Sequence, residues 1–446
     1  MRSLVLAGGG MRVAWQAGVV QALHESSVEF EHVDGTSGGV FTAAALLSGV
    51  QPLDLCERWA SIDVQDFASL LPLRDYLGGP TNLPALGDAD GIVQKVFPHL
   101  GIDVDSLRKA DGPAGTFNVC NFADKTVEAW PHDEVDLDIL VAGVSLPVFM
   151  PVVMRDGVPY TDAVWIKDAN LLEAARRGAR EIWLAWCIGN TDRWGDGPLE
   201  QYVHMIEMSA NGALFWELSQ LAALDEPPVV HVIHPEFPLP LDPELYAGRI
   251  AASTLVAMGY RDARRYLASM SEAGMPLDHR CTKMREPGLG ARFREQMAGD
   301  GLSLDLGVEI ADVSAVGEER MVGWVRSDRW GTALLADGRF SVAGEELRYE
   351  GWFLVDGRRH GLLAVKRLHD DPGFDLWEDV TTVSCRVADD TGAEAWAGTL
   401  RLDAGDVRRL VMSIEPVGAH GLGDRAAVMA RLGRLLLREA FDRSGG

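Results

Sequence analysis

The stretch LVLAGGGMR, residues 4–12, joins a short apolar run to three consecutive glycines and then to a helical pattern. Leu4–Ala7 is too short for a signal-peptide core and predicts a buried strand. Over Met11–His24 the apolar residues recur on one face, which predicts a helix. Glycines at this junction let the backbone bend sharply and turn its N–H groups outward, where the helix N-terminus favours negative charge. The segment therefore suits a phosphate or a developing oxyanion.

The glycine run does not match the common nucleotide-binding motifs. A G-x-G-x-x-G fingerprint would need glycine where the chain has Val13, and no Gly-Lys-Ser/Thr of a P-loop follows. Two alternatives to an oxyanion site stay open: a phosphate or nucleotide site at Gly8–Gly10, and a turn that binds nothing.

A second glycine-rich junction, Gly35-Thr36-Ser37-Gly38-Gly39, lies between a predicted strand, Phe30–Asp34, and a predicted helix, Gly39–Leu47. This G-x-S-x-G pattern is typical of a nucleophile elbow, in which glycines allow a strained turn that exposes the serine oxygen. The flanking strand and helix are the context that the motif needs. The alternative is an ordinary turn that contains a serine.

A nucleophilic serine needs a base, and the candidate is Asp162 in the stretch Tyr160-Thr161-Asp162-Ala163. A carboxylate can accept the serine proton directly if it lies within hydrogen-bond reach and is sheltered from water. Asp156 is the competing carboxylate, but Asp156-Gly157 more simply predicts a hairpin turn. Outside this context, Asp162 would be an ordinary cap or turn residue.

The first half of the chain alternates strand and helix patterns, which predicts a mostly parallel sheet sandwiched by helices, an α/β fold. The further predicted elements are strands Thr116–Phe122, Thr126–Trp130, Glu181–Ile188 and Val229–Ile233 and a long helix, Tyr202–Leu224. Apolar side chains in these segments favour core packing over an acyl-chain groove; they are Trp59, Trp130, Trp165, Trp183, Trp186, Met205, Met208, Leu214, Phe215 and Trp216.

Together, the glycine loop, the elbow and Asp162 resemble the patatin-like phospholipases, from Leu4 to about Ile233. Ser145–Pro151 is similar to the segment before that family's catalytic aspartate. Asp168, Gly178 and the strand that starts at Glu181 follow at the family's spacing. The shared spacing is more specific than any one motif.

The resemblance implies a serine acyl hydrolase that cleaves fatty acyl esters of lipids through an acyl-serine intermediate, without metal or cofactor. Ser37 would be the nucleophile and Asp162 its partner in a two-residue dyad. The implied oxyanion hole and elbow residues are Gly8, Gly9, Gly10, Met11 and Arg12 for the hole and Gly35, Gly38 and Gly39 for the elbow.

Two positions depart from the family pattern. The family usually has glycine where the chain has Val13, and its aspartate is usually followed by glycine rather than by Ala163. A catalytically weak lipid-binding or scaffolding protein that uses the same cleft is therefore the alternative function. A general α/β-hydrolase fits less well, because only about two strands precede Ser37. His231 and His234 are expected to be structural.

The composition excludes several classes of protein. With 41 basic and 66 acidic residues the net charge is −25, so nucleic acid is not an expected partner. No segment is long and apolar enough to predict a membrane span, and a transient contact with a membrane surface would need apolar insertion or a local basic patch. Five scattered cysteines favour reduced thiols and a cytoplasmic location. The sequence indicates no oligomeric state.

We expect three regions: a hydrolase domain over 1–272, a linker over 273–302, and a β-rich α+β domain over 303–446. The last region has a predicted hairpin around Asp356-Gly357 and a closing helix capped by Asp424. Its further predicted strands are Thr381–Val387, Ala395–Leu400 and Leu410–Ile414.

From about Leu347 onward the chain weakly resembles the β-rich domain of bacterial cholesterol-oxidase-type oxidoreductases. The residues that carry this resemblance are the hairpin, Leu362–Lys366, Asp370-Asp371, Asp375-Leu376-Trp377, Thr381-Thr382 and Gly398-Thr399-Leu400. It implies only an association with lipid or sterol chemistry. The alternative is a sheet domain that stabilises the hydrolase, covers its cleft or mediates dimerisation.

Overall fold

The computed structural model describes residues 1–67, 85, 87–195, 197–240, 250–344, 346–367, 381–419 and 421–436. The chain divides into two compact units. The first comprises Met1–Tyr246 with Arg265–Arg285, and the second comprises Ala247–Arg264 with Glu286–Gly446. Within the described residues, no helix combines the length and the apolar content needed to cross a membrane.

The first unit is built on one sheet in the order β5-β6-β3-β2-β1-β7-β8, with β4 also paired to β3. Its strands are β1 Arg2–Leu6, β2 His32–Thr36, β3 Ala114–Asn121, β4 Thr126–Pro131, β5 Val153–Arg155, β6 Val158–Asp162, β7 Glu181–Ala185 and β8 Val229–Ile233. Strands β3, β2, β1, β7 and β8, which are neighbours in this order, run parallel to one another. β4 and β6 pair antiparallel with β3, and β5 pairs antiparallel with β6.

Helices cover the central strands on both faces. Residues 3–6 of β1 are all buried, and because successive side chains in a strand point to opposite faces, both faces must be packed. The helices of this unit are α1 Ala14–Glu25, α2 Gly39–Leu47, α3 Pro52–Ala60, α4 Phe97–Leu100, α5 Val104–Arg108, α6 Leu137–Val144, α7 Leu171–Arg176 and α8 Pro198–Ala222. The predicted α/β class is confirmed.

The second unit is a closed antiparallel sheet. Its strands are β9 Gly290–Gly299, β10 Leu302–Ile310, β11 Glu318–Ser327, β12 Gly331–Leu334, β13 Ala336–Ala343, β14 Glu346–Val355, β15 Arg358–Arg367, β16 Thr382–Ala388, β17 Glu394–Arg401 and β18 Glu415–Val417. The sheet closes because β9 pairs with β10 on one side and with β17 on the other. Alternate residues point inward and form the core of the unit, as Leu347, Tyr349 and Phe353 do in β14. The predicted β-rich class is confirmed.

Helices complete the second unit, and here two details of the sequence prediction differ. The helices are α9 Ala252–Ser269, in which the boundary between the units falls after Arg264, α10 Ala404–Ser413 and α11 Leu422–Leu436. Leu410–Ile414, predicted as a strand, lies mostly in α10, because Asp403 and Asp406 form a capping box that starts a helix there. Asp424 lies in the first turn of α11 rather than at its N-cap.

The segment 273–302, expected to be a linker, contains the whole of β9. Proline and glycine cluster before Leu289, whereas Ala291, Phe293 and Met297 of β9 lie in the core of the second unit. Part of the predicted C-terminal resemblance, over residues 370–377, lies outside the described residues.

Candidate active site

Ser37 sits on a sharp turn between the end of β2 at Thr36 and the start of α2 at Gly39. Its φ of 52° places it in the left-handed region, which non-glycine residues rarely adopt. The turn is held against the end of β1, since a Cβ added to Gly39 would lie 2.1 Å from the Leu6 carbonyl oxygen. The G-x-S-x-G pattern therefore has a steric cause, because a side chain at Gly39 would push α2 away from the sheet.

Asp162 is the last residue of β6. The β5–β6 hairpin turns at Asp156 and Gly157, both with positive φ, so the predicted hairpin is confirmed and Asp156 is a turn residue. Asp162 pairs with Val119 of β3, and its amide donates to the Ser145 carbonyl oxygen at 3.1 Å. These contacts fix the position of the carboxylate at the edge where β2 also ends.

The fold brings these two residues together. Ser37 Oγ donates to Asp162 Oδ2 at 2.7 Å, and the second carboxylate oxygen accepts the amide of Val164 at 2.9 Å. Ser37 is 7% exposed and Asp162 is 2% exposed. Burial raises the pKa of Asp162 to about 7, and the hydrogen bonds from Ser37 and Val164 act in the opposite direction. The result is a carboxyl group that can exchange a proton near neutral pH.

The glycine loop ends in a single 3₁₀ turn, Gly10–Val13, before α1 begins. The amide of Gly8 donates to the Asp168 carbonyl oxygen at 3.2 Å, so this N–H group is already bonded within the protein. Among the described residues, no backbone partner accepts the amides of Gly9 or Gly10. The buried Arg12 donates from Nε to the Gly9 carbonyl oxygen at 3.0 Å, which braces the loop.

The two departures from the family pattern fit the site without visible distortion. Val13 is fully buried, and its Cγ1 atom lies 2.6 Å from where a Cβ on Gly38 would be, so it packs the glycine loop against the elbow. Ala163 is not among the residues with positive φ, so its Cβ causes no backbone strain. Asp162 still reaches Ser37 beside it.

Residues 4–175 match the family model described as Patatin-like phospholipase. This segment is a patatin-like phospholipase domain. It contains Ser37, Asp162 and the glycine loop. No curated protein matches the chain. Among similar solved structures is the crystal structure of VipD from Legionella pneumophila, with 13% sequence identity and a TM-score of 0.34. The match covers 60% of this chain and 66% of that chain, just under two thirds of its length.

A buried polar network lies beneath the elbow of the patatin-like domain, and sequence reasoning missed it. Asn118 of β3 donates from Nδ2 to Asp34 Oδ1 at 2.8 Å and to Thr36 Oγ1 at 2.9 Å. Its Oδ1 accepts from Asn170 at 2.7 Å, and Asn170 accepts from Lys167 at 3.1 Å. The network therefore links the residue before Ser37 to the segment that follows Asp162.

An apolar rim, which we define as residues 146–154, also escaped prediction. The run reads LPVFMPVVM, and none of its nine residues is buried. Val148 is 63% exposed and Met154 is 58% exposed. The rim begins next to Ser145, which is bonded to Asp162, so it is tied to the edge of the site.

Helix α8 adds further exposed apolar side chains. The Phe149 ring of the rim lies 6.1 Å from that of Tyr202, and Tyr202 lies 6.3 Å from Trp165. Met205 and Met208 of the same helix are exposed. Core packing was therefore the wrong prediction for them and for Trp216, which is also exposed, whereas it is confirmed for Trp59, Trp183 and Trp186.

His231 and His234 bond groups other than the dyad. His231 in β8 stacks on Trp183 with ring centroids 4.2 Å apart, and its Nδ1 bonds the Tyr266 hydroxyl at 2.9 Å. His234 follows the end of β8 and bonds the Pro235 carbonyl oxygen. Both contacts are structural.

Proposed function

We propose that the patatin-like domain is a serine acyl hydrolase that cleaves fatty acyl esters of lipids with Ser37 as nucleophile and Asp162 as its base. The observation that carries this proposal is the 2.7 Å hydrogen bond from Ser37 Oγ to a buried carboxylate. A nucleophile and its base within hydrogen-bond reach are the minimum that acyl transfer requires.

The chemistry follows from these atoms. Asp162 accepts the proton of Ser37 as Oγ attacks the ester carbonyl carbon, and the carbonyl oxygen becomes an oxyanion. The amides of Gly9 and Gly10 are the donors that we assign to it, each worth on the order of 3 kcal/mol. Collapse breaks the bond to the alcohol, which takes the proton from Asp162. Water then attacks the acyl-serine and gives its proton to the same carboxylate. Collapse breaks the bond between the acyl carbon and Ser37 Oγ, which takes the proton back from Asp162, and the fatty acid leaves.

A lipid substrate is supported by the surface beside the dyad. The apolar rim is uncharged over nine residues on a protein with a net charge of −25, so hydrocarbon rather than an ionic partner matches it. We infer that the rim makes transient contact with the membrane surface from which the acyl ester enters. A cytoplasmic location completes the proposal, supported by five buried free cysteines.

The experiment measures hydrolysis of p-nitrophenyl acyl esters and labelling by a fluorophosphonate probe, followed by a screen of lipid classes. We expect Ser37→Ala and Asp162→Asn to lower turnover by at least about a thousandfold. Ser219→Ala is the matched control, because that serine is exposed and its hydroxyl bonds neighbours in its own helix, donating to the Trp216 carbonyl oxygen and accepting from the Gln220 side chain.

Each outcome separates the candidate functions. Probe labelling that persists in Ser37→Ala, or turnover that survives Asp162→Asn, would remove the dyad assignment. Lipid binding without labelling or turnover would favour the weak lipid-binding protein. Thermal stabilisation by nucleotides would favour a phosphate site at the glycine loop.

A further inference from the structure

The Ser37–Asp162 dyad leaves a second buried carboxyl group of the site unused. Asp168 is 1% exposed, and neither of its side-chain oxygens has a hydrogen-bond partner among the described residues. Buried polar groups in proteins are almost always paired, so an unpaired carboxyl beside a nucleophile requires an explanation.

Asp168 lies against the glycine loop next to Ser37. A Cβ added to Gly8 would lie 2.1 Å from Asp168 Oδ1 and 2.6 Å from Ser37 Cβ, so the carboxyl and the nucleophile border the same small volume. The backbone carbonyl of Asp168 also accepts the Gly8 amide at 3.2 Å. Asp168 therefore bonds Gly8 through its backbone and packs against Gly8 with its side chain.

The charge of this carboxyl follows from its surroundings. An ionised carboxylate without a partner in a dry interior is strongly unfavourable, whereas the neutral acid loses only its hydrogen bonds to water. Burial, together with the negative charge of Asp162, raises the pKa of Asp168 well above its usual range, while Arg12 and the Gly8 amide act in the opposite direction. Lys167, its neighbour in the chain, is paired with Glu217.

We propose that Asp168 is a positioning residue that works as a neutral carboxylic acid, holding Gly8 beside Ser37 and leaving Asp162 as the one ionised carboxylate that the described residues place next to the nucleophile. The inference rests on the proposed hydrolase function. If Asp168 ionised, a second negative charge would oppose the oxyanion of the transition state. Hydrolysis should therefore fall on the alkaline side of the pH profile.

The test compares Asp168→Asn with Asp168→Ala. Asparagine keeps the shape of the neutral acid and cannot ionise, so we expect kcat/KM at neutral pH within about threefold of wild type and no alkaline loss. Alanine removes the contact with Gly8, so we expect a loss of up to roughly a hundredfold at neutral pH. An alkaline loss that is identical in wild type and Asp168→Asn would overturn the proposal, because a purely structural role would not move the profile.

A second readout does not depend on activity. In the unfolded chain Asp168 ionises near pH 4, whereas the folded protein holds the proton, so wild type loses stability as pH rises between those two pKa values. The Asp168→Asn variant has no carboxyl at this position and therefore does not lose stability in this way. Its unfolding temperature relative to wild type should increase from pH 5 to pH 9, and a constant difference would overturn the neutral-acid assignment. If this difference in unfolding temperature increases with pH but the protein shows no Ser37-dependent hydrolysis, the proposed function is rejected and the neutral state of Asp168 is retained.

Discussion

Ser37 Oγ donates a 2.7 Å hydrogen bond to Asp162 Oδ2 across 125 residues of sequence. In the proposed reaction the carboxylate must be ionised to accept the serine proton, and burial raises the pKa of Asp162 to about 7. We therefore expect kcat/KM for a soluble ester to rise as pH increases through about 7. The profile is measured between pH 5 and pH 8.

Asp34 provides the control for this pH profile, because burial also raises its pKa to about 7. Asp34 bonds Thr116 and Asn118 rather than Ser37. Asp34→Asn should leave the midpoint of the acid side in place. A midpoint near pH 4 in wild type, or one that moves with Asp34, would contradict the assignment of Asp162 as the titrating base.

Local signals in the sequence were sufficient for the parts of the site that depend on backbone geometry. Gly35 to Gly39 predicted a strand, a turn and a helix, and the observed α2 has the predicted bounds. Asp156-Gly157 predicted a hairpin turn because both positions need positive φ. Such patterns are readable because the cause, a steric requirement, lies within a few residues of the chain.

The features that were missed arise only from pairing between distant segments. Asn118 contacts Asp34 and Asn170 because β2, β3 and the segment before α7 meet in three dimensions. Asp168 was noticed only for its spacing, since nothing local shows that its carboxyl would be buried without a partner. The apolar rim has the composition of a core segment. It is exposed because of how distant parts of the chain pack, not because of its own residues.

The close packing of the elbow on β1 predicts that Gly39→Ala will damage both activity and stability. The new Cβ would lie 2.1 Å from the Leu6 carbonyl oxygen, far inside van der Waals contact, so the start of α2 must move. We expect turnover to fall by roughly a hundredfold and the free energy of unfolding by about 1–3 kcal/mol. Enzyme kinetics and urea titration measure the two effects.

Gly212→Ala in α8 is the control, because a Cβ there meets no atom within 4 Å. It should leave turnover unchanged and raise the free energy of unfolding by about 0.5–1 kcal/mol, since alanine is the better helix former. Wild-type turnover in Gly39→Ala would show that the elbow tolerates movement and would contradict this account of the motif.

The apolar rim predicts a difference between dispersed and membrane-borne substrates. The double variant Val148→Asn and Met154→Asn removes two of its most exposed apolar side chains, and asparagine tolerates the positive φ of 80° at Val148. Hydrolysis of phosphatidylcholine vesicles and co-sedimentation with them should fall about tenfold or more, because less apolar surface enters the bilayer. Turnover of a soluble ester should be unchanged.

Met412→Asn is the matched control for the rim, because this methionine of α10 is 69% exposed, against 58% for Met154 of the rim. It should leave vesicle binding and turnover unchanged. Equal losses on vesicles and on the soluble ester in the rim variant would indicate damage to the site itself and would reject the rim as the lipid contact.

Inside the closed sheet of the second unit, Lys366 and Tyr349 both donate to the carboxylate of Glu295, and all three side chains are buried. Lys366→Met removes the only cation that the described structure pairs with this carboxylate and leaves an uncompensated buried charge. We therefore expect a loss of about 3–5 kcal/mol in the free energy of unfolding, measured by urea titration of the full chain.

Arg348→Met is the control, because Arg348 pairs with Glu346 at the surface and should change stability by no more than about 1 kcal/mol. Adding Glu295→Gln to Lys366→Met should restore part of the lost stability, since the penalty comes from the unpaired charge rather than from the missing lysine. Equal effects of the two single variants would show that the buried ion pair is no more important than a solvated one.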